Sequence, residues 1–176
     1  MISDGQFLYF FPFSYQYGNE IWKSDGTAPG TVLLKDIAPG NTSSNGYSLF
    51  LFKNKVHFFA KSNGFDALEL WSTDGSTEGT NKIIQLDFLG NTIDKSLVAV
   101  HDNFFYFTLR SGFSDQLWIS DGTSTNTKLV KDLKQTVASI VSIPNNRAVF
   151  SLNGGDNVDD VWVSDGTGSG TKVLID

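Results

Sequence analysis

The sequence predicts an all-β protein, and more narrowly a β-propeller of four-stranded antiparallel blades. Two features support this prediction: the amino-acid composition and a four-fold internal repeat. The 176 residues include 16 Asp but three Glu, and 19 Ser and 14 Thr against seven Ala. Residues that favour turns and strands therefore outnumber those that favour helices.

The repeat is marked by four tryptophans, which are spaced by 49, 47 and 44 residues. Spacings of about 40 to 50 residues are typical of propeller blades. Each Trp is followed by Asp at the third position, Gly at the fourth and Thr at the ninth. The four sets are Trp22, Asp25, Gly26 and Thr31; Trp71, Asp74, Gly75 and Thr80; Trp118, Asp121, Gly122 and Thr127; and Trp162, Asp165, Gly166 and Thr171.

Each repeat is predicted to form four short strands joined by turn residues. In the third repeat the predicted strands are Ser96–Val100, Phe104–Leu109, Gln116–Ser120 and Lys128–Leu133. We expect a single repeat domain over residues 1–176, in which the first blade lacks its first strand. The blades are expected at about residues 1–37, 47–87, 95–133 and 138–176.

Large apolar residues on both faces of the predicted strands indicate sheets that are covered on both sides. Neighbouring residues of a strand point to opposite faces, and each Trp follows another large apolar residue: Ile21, Leu70, Leu117 or Val161. A sheet with one solvated face would alternate apolar and polar residues instead. Blades stacked face to face around an axis satisfy the pattern, so we expect the Trp side chains to pack between blades.

The segment after each Trp is predicted to be a hairpin loop. Asp can accept hydrogen bonds from backbone N–H groups one or two residues later, and the following Gly supplies a positive φ. A second turn position, also predicted to have a positive φ, holds Gly30, Gly79, Asn126 or Gly170. We expect the four Asp to cap their own loops; the alternative is that they bind calcium.

These segments resemble the ELWxxDGT repeat family. Two stretches match the family motif most fully, namely Glu69-Leu70-Trp71 with Asp74-Gly75, and Glu20-Ile21-Trp22 with Asp25-Gly26-Thr27. The resemblance extends over all four repeats, although Gln116 and Asp160 stand at the Glu position of the last two. Repeats of this family occur in secreted and surface-attached bacterial proteins, often exported by type IX secretion. The resemblance therefore implies an extracellular or cell-surface location.

The composition argues against several classes of function. A formal net charge of −6 disfavours nucleic-acid binding, and no apolar stretch reaches the roughly 18 residues of a membrane helix. The chain has no Cys, which excludes disulfides and thiolate metal sites. His57 and His101 occupy non-equivalent positions, and there is no nucleophile elbow or phosphate-binding loop. We therefore expect no enzyme activity and no cofactor.

Candidate binding residues lie in the variable loops between the second and third strands, where propeller ligands commonly bind. Four aromatic side chains there are suited to stacking on sugars: Tyr15, Tyr17, Phe65 and Phe113. The alternative is that they fold back over the blade edges. A weaker candidate is a cation site, since calcium prefers oxygen ligands, and the fourth loop holds Asp156, Asn157, Asp159 and Asp160.

These observations favour a non-enzymatic propeller module of a secreted or cell-surface bacterial protein, acting in scaffolding, adhesion or protein–protein interaction. The expected partner is a protein or a glycan at the cell surface, without nucleic acid or membrane insertion. The main alternative is a lectin-like glycan-binding propeller. A glycoside hydrolase or lyase is the third possibility.

The repeat length predicts that the chain does not close as a lone four-bladed ring. With a mean spacing of about 47 residues, four full units need about 187 residues, and the chain has 176. A blade that lacks a strand exposes unpaired backbone groups. We expect completion by further repeats of the same protein or by a second copy of the chain.

Overall fold

The computed structural model describes residues 1–63, 68–86, 97–153 and 160–175. These ranges contain 18 β-strands and no helix. Among these residues there is therefore no helix of the length and apolarity needed to cross a membrane. The predicted all-β propeller class is confirmed.

The strands form four antiparallel sheets of four strands, which we number as blades 1 to 4. Blade 1 consists of β1 (Ile2–Ser3), β2 (Leu8–Phe10), β5 (Ile21–Ser24) and β6 (Val32–Lys35), with a small hairpin of β3 (Phe13–Ser14) and β4 (Gly18–Asn19) inserted. Blade 2 consists of β7 (Tyr47–Phe52), β8 (Lys55–Ala60), β9 (Glu69–Thr73) and β10 (Asn81–Gln85).

Blades 3 and 4 repeat this up-and-down order. Blade 3 consists of β11 (Val98–Val100), β12 (Phe105–Ser111), β13 (Ser114–Ser120) and β14 (Lys128–Asp132). Blade 4 consists of β15 (Val137–Ile143), β16 (Arg147–Leu152), β17 (Asp160–Ser164) and β18 (Lys172–Ile175). The strands predicted for the third repeat agree with blade 3 to within a few residues at each end.

Blade 1 differs from the prediction in one detail, because a first strand of two residues is present. Ile2 pairs with Tyr9, and Ser3 pairs with Leu8. The connecting turn is held by Asp4, whose Oδ1 accepts hydrogen bonds from the backbone N–H groups of Gln6 and Phe7, at 2.8 and 2.7 Å. This local turn places the short strand beside β2.

A β-bulge recurs in every blade, between the third and fourth strands and next to the Trp. The register shifts beside Trp22, Trp71, Trp118 and Trp162. Bulges increase the local twist of a strand pair. The hairpin of the third and fourth strands therefore has a locally increased twist in all four blades. In each blade it occurs next to the Trp that marks the repeat in the sequence.

The chain forms two compact units, Met1–Phe88 and Leu89–Asp176, and each unit has its own apolar core. In the first unit, one face of blade 1 packs against one face of blade 2. Its buried core consists of Tyr9, Ile21, Leu34, Ile37, Val56, Phe58, Ala60 and Trp71. In the second unit blades 3 and 4 pack in the same way, through Ala99, Tyr106, Leu117, Leu133, Val137, Ala148, Phe150 and Leu152.

The four Trp side chains are not equally buried. Trp71 is 7% exposed and lies inside the first core, where its ring stacks on Phe58 with centroids 6.4 Å apart. Trp162 packs against the second core and stacks on Phe150 at 6.2 Å. Trp162, like Trp22 and Trp118, is half-buried. Within the units, packing between blades is thus carried by the Trp of blades 2 and 4.

Candidate functional site

Among the described residues of the first unit, the most exposed aromatic side chains lie on the hairpin formed by β3 and β4. Phe13 is 67% exposed and Tyr15 is 94% exposed. Their rings meet edge to face, with centroids 5.5 Å apart. The hairpin turns tightly at Gly18, where φ is +68° and an added Cβ would overlap the Thr42 carbonyl. The result is a small aromatic projection in the loop region where the sequence places candidate ligand contacts.

Tyr17 of the same hairpin is placed differently from Tyr15. It is half-buried and its ring lies edge-on to Trp22, with centroids 6.5 Å apart. Its hydroxyl oxygen accepts a hydrogen bond of 3.0 Å from the Gln16 side-chain amide. Tyr17 therefore folds back over its own blade, as the alternative interpretation of these aromatics expects, whereas Tyr15 does not.

Phe113 occupies the equivalent connection of blade 3, in the tight turn between β12 and β13. Gly112 takes a positive φ of 63° in this turn, and the Phe113 side chain is 99% exposed. Phe65, predicted in the equivalent loop of blade 2, lies outside the described residues. Each unit therefore presents an exposed aromatic side chain, Tyr15 or Phe113, on a loop between the second and third strands of its first blade.

Each Asp–Gly–Thr loop is closed by its own Asp. In blade 1, Asp25 Oδ1 accepts hydrogen bonds from the backbone N–H and the hydroxyl of Thr27, at 2.9 and 2.7 Å. Thr31 Oγ1 then bonds Ser24 Oγ at 2.7 Å and the Thr27 carbonyl at 2.7 Å, joining the two ends of the loop. The same set of bonds is made around Asp74, Asp121 and Asp165.

These hydrogen bonds stabilise the ionised carboxylates. The bonds from Thr27 lower the pKa of Asp25, those from Ser76 lower that of Asp74, and those from Thr167 lower that of Asp165. The Gly after each Asp takes the positive φ that the sequence predicts, between 87° and 92° at Gly26, Gly75, Gly122 and Gly166. The carboxylates thus have local donors and act as loop caps.

The prediction of a second positive φ in these loops is wrong. Gly30, Gly79, Gly170 and Asn126 all lack it. Glycine is needed at the first three positions for space, because a Cβ there would overlap the carboxylate of the capping Asp. In blade 3 the Asn126 side chain instead donates a hydrogen bond of 2.7 Å to Asp121 Oδ2. The close approach of the Asp carboxylate, and not the backbone conformation, therefore explains why Gly stands at this position in three of the four loops.

Two buried carboxylates hold the segments that link one blade to the next, and sequence reasoning missed this function. Glu20 is fully buried and accepts hydrogen bonds from the backbone N–H groups of Ile37, Ala38 and Ser44, at 2.8, 3.3 and 2.9 Å. Burial raises the pKa of Glu20, and these amide hydrogen bonds partly offset the rise.

Asp115 performs the corresponding function in the second unit. Its Oδ2 accepts a hydrogen bond of 2.7 Å from the backbone N–H of Val137, the first residue of β15. Its Oδ1 pairs with Arg110 Nε at 2.7 Å. Burial raises the pKa of Asp115, while the Val137 amide and the Arg110 charge act in the opposite direction.

The remaining titratable candidates are used in local packing. Glu69 accepts hydrogen bonds from Trp71 Nε1 at 3.0 Å and from the Ser62 backbone N–H at 3.0 Å, and it pairs with Lys82 at 2.9 Å. His57 is buried against Phe50, with ring centroids 5.4 Å apart, and burial lowers the pKa of His57 to about 4. A neutral, enclosed imidazole is suited to core packing.

The predicted oxygen cluster of the fourth blade is only partly within the described residues. Asp156, Asn157 and Asp159 lie outside them, and Asp160 begins β17 and pairs with Leu152. Over residues 1–63, 68–86, 97–153 and 160–175, no group of three or more His, Asp or Glu side chains is arranged to hold a metal ion. The cation site stays a prediction.

Comparison with known proteins identifies the fold. Neither a family model nor a curated protein sequence matches the chain, but solved structures do. TolB from Acinetobacter baumannii matches with a TM-score of 0.60 at 12% identity, over 96% of this chain and 41% of TolB. The β-propeller domain of the Trilobed protease from Pyrococcus furiosus matches with a TM-score of 0.61 at 17% identity, over 99% of this chain and 53% of that chain.

An acylaminoacyl peptidase from Pyrococcus horikoshii also matches, with a TM-score of 0.62 and 16% identity. The match covers 99% of this chain but 26% of the peptidase. The chain thus spans between about a quarter and about half of the length of these proteins. At such low identity the likeness shows the β-propeller fold alone.

Proposed function

We propose that this β-propeller module acts by binding another protein, in scaffolding or adhesion, as part of a secreted or cell-surface bacterial protein. The observation that carries the proposal is the exposure of Tyr15 and Phe113, at 94% and 99%. Both project from loops, and propeller loops vary without disturbing the blades. Aromatic side chains supply much of the binding energy at protein interfaces, because they bury large areas with few rotatable bonds.

The buried carboxylates support a binding function over catalysis. A catalytic acid or base needs access to a substrate, whereas Glu20 and Asp115 are enclosed and bind backbone N–H groups where the chain approaches or enters the next blade. Glu69 is likewise occupied by Trp71, Ser62 and Lys82. These groups have structural partners in the described residues, which favours a non-enzymatic module.

The experiment displays the chain on cells of a non-adhering bacterium and measures their retention on surfaces coated with fibronectin, collagen or fibrinogen. We expect retention on a protein surface, and a loss of at least about tenfold for the Tyr15→Ser/Phe113→Ser variant, because both exposed aromatics are removed. Val141→Ser is the matched control, since Val141 is 56% exposed on a strand and not on a loop. Retention on no protein surface would contradict the proposal, as would turnover of peptide, ester or glycoside substrates by the purified chain.

The edge-to-face pair of Phe13 and Tyr15 favours a second candidate function, the binding of a glycan. Exposed aromatic rings flanked by Ser14 and Gln16 offer both a stacking surface and hydrogen-bonding groups. A glycan array distinguishes the two candidates. Binding to the array that is lost in Tyr15→Ala, without retention on protein-coated surfaces, would support the lectin-like function. Tyr17→Ala is a weaker test, because Tyr17 packs on Trp22.

A further inference from the structure

The hairpin of β3 and β4, which we call the aromatic hairpin, does not continue the strands of blade 1. Pairing of β2 with β5 ends at Phe10 and Trp22, and the hairpin forms a separate two-stranded sheet. In blade 3 the corresponding strands pair without a break up to the turn that carries Phe113. The ladder of blade 1 therefore does not by itself fix the position of Tyr15.

The second arm of the aromatic hairpin is bonded to the first linker, the segment of residues 36–46 between β6 and β7. Asn19 donates its backbone N–H to Ser43 Oγ at 2.9 Å. The Asn19 carbonyl accepts hydrogen bonds from the backbone N–H and the hydroxyl of Ser44, at 3.1 and 2.9 Å. The linker thus satisfies both backbone groups of the residue at which the hairpin rejoins the blade.

The segment that leads into the hairpin meets the same linker. The Asn19 side-chain amide donates a hydrogen bond of 3.0 Å to the Phe11 carbonyl, which ties the two arms together. Gly46, at the end of the linker, lies so close to Phe11 that an added Cβ would overlap its ring. Phe11 also packs edge to face on Phe58 of blade 2, with centroids 5.4 Å apart. Both ends of the aromatic hairpin therefore contact the linker.

The first linker is itself held by both blades of its unit. Buried Glu20 of blade 1 accepts the backbone N–H of Ser44, and the Ser44 carbonyl accepts the backbone N–H of Lys61, at the end of β8 in blade 2, at 2.9 Å. Residues 6–19 and 37–52 contain no charged side chain. The aromatic hairpin is therefore placed on the linker by hydrogen bonds and close packing, without an ion pair between the two segments.

Gly18 shows how closely the hairpin approaches the linker. Its φ is +68°, and an added Cβ would overlap the Thr42 carbonyl and lie 2.9 Å from Ser43 Oγ. Gly112, in the corresponding turn of blade 3, has a similar φ of +63°, but an added Cβ there would meet open space among the described residues. A side chain at either position strains the backbone, whereas only one at position 18 would push the hairpin off the linker.

We propose that the first linker positions the aromatic hairpin, so that Phe13 and Tyr15 are held in place for the partner protein before it binds, with Gly18 and Ser43 as positioning residues. The inference rests on the proposed binding function and adds what fixes the aromatic side chains of the first unit. A surface that is ordered before contact loses less conformational entropy on binding. Displacing the hairpin should therefore weaken binding even when both aromatic rings are still present.

The first readout needs no partner. Tyr17 lies on the hairpin and packs on Trp22 of the blade, so the fluorine NMR signal of 3-fluorotyrosine at position 17 reports where the hairpin sits. The Tyr17→Phe chain, which lacks this signal, assigns it. We expect Gly18→Ala and Ser43→Ala to shift or broaden the signal. Gly112→Ala is the matched control, because it adds the same backbone strain without contact to the linker, and it should leave the signal in place.

The second readout is retention on the protein-coated surfaces. Gly18→Ala should lower retention at least about tenfold, and Ser43→Ala at least about threefold, since it removes one hydrogen bond. Ser43→Thr keeps a hydroxyl and should restore both the fluorine signal and retention. Ser139→Ala is the matched control for Ser43→Ala, because it removes a hydroxyl hydrogen bond of the same 2.9 Å length, to Ser151 in blade 4. Circular dichroism checks that each variant keeps its strands.

An unchanged Tyr17 signal in both Gly18→Ala and Ser43→Ala would overturn the inference, because the hairpin would keep its place without these linker contacts. A displaced signal with undiminished retention would overturn it too, because binding would then not depend on the position of the hairpin. If the wild-type chain is retained on no protein surface, the proposed function fails, whereas the fluorine signal still decides whether the linker fixes the hairpin. The two failures are therefore distinguishable.

Discussion

Trp71 offers the sharpest test of packing between blades, through the substitution Trp71→Ala. The side chain hides more than nine-tenths of its surface among Tyr9, Ile21, Leu34 and Phe58. Transfer of roughly 200–250 Å² from water is worth about 5–6 kcal/mol at about 25 cal/mol per Å². The alanine Cβ and partial collapse of the cavity recover some of this, so we expect a loss of about 3–5 kcal/mol in the free energy of unfolding.

The assay is urea unfolding followed by far-ultraviolet circular dichroism, which reports the strands and not the missing indole. Trp118→Ala is the matched control, because Trp118 is half-buried and stacks on Phe107 at 6.0 Å. We expect that variant to lose about half as much, or roughly 2 kcal/mol. A loss below about 1 kcal/mol for Trp71→Ala would refute the packing of blade 2 on blade 1 through this side chain.

Two further predictions concern the loops and the buried imidazole. Asp121→Ala should lower the free energy of unfolding by about 1 kcal/mol, because it removes the cap from Thr123. Calcium should leave the melting temperature of the wild-type chain unchanged. A calcium-dependent rise in melting temperature that this substitution abolishes would identify the loops as cation sites. His57, with a folded pKa of about 4 against about 6.5 when unfolded, binds protons mainly in the unfolded state. The contribution of the neutral imidazole to stability should be fully present above pH 6.5, and the free energy of unfolding should fall by up to about 3 kcal/mol as the pH drops towards 4. His57→Phe should flatten that decline in urea unfolding, and an unchanged slope would show that the imidazole is accessible.

The sequence predicts most of the fold because the interactions that define a blade are local. Asp25 caps a loop two residues away, and Thr31 closes it onto Ser24, so the spacing within the repeat reflects contacts within one hairpin. The alternation of Ile21 and Trp22 likewise predicts which side chains lie on opposite faces. The grouping of the blades into two compact units has no such local signature.

The linker carboxylates could not be predicted because their partners are distant in sequence. Glu20 bonds the backbone of Ser44, 24 residues later, and Asp115 bonds that of Val137, 22 residues later. Their partners are amide groups, which leave no trace in the residue types of the linker. Sequence alone does not distinguish the exposed Tyr15 from the half-buried Tyr17, since the two residues are separated only by Gln16 and share one loop.

The buried carboxylates Glu20 and Asp115 have a consequence for how much the length of a repeat can vary. Glu20 lies two residues before its Trp and Asp115 lies three before, yet both accept hydrogen bonds from backbone N–H groups where the chain approaches or enters the next blade. A shorter acid one position earlier therefore makes an equivalent contact, because the backbone N–H groups it binds are present whichever side chains that segment carries. Repeat spacings that differ from 49 to 44 residues are therefore compatible with one and the same arrangement of four strands in every blade.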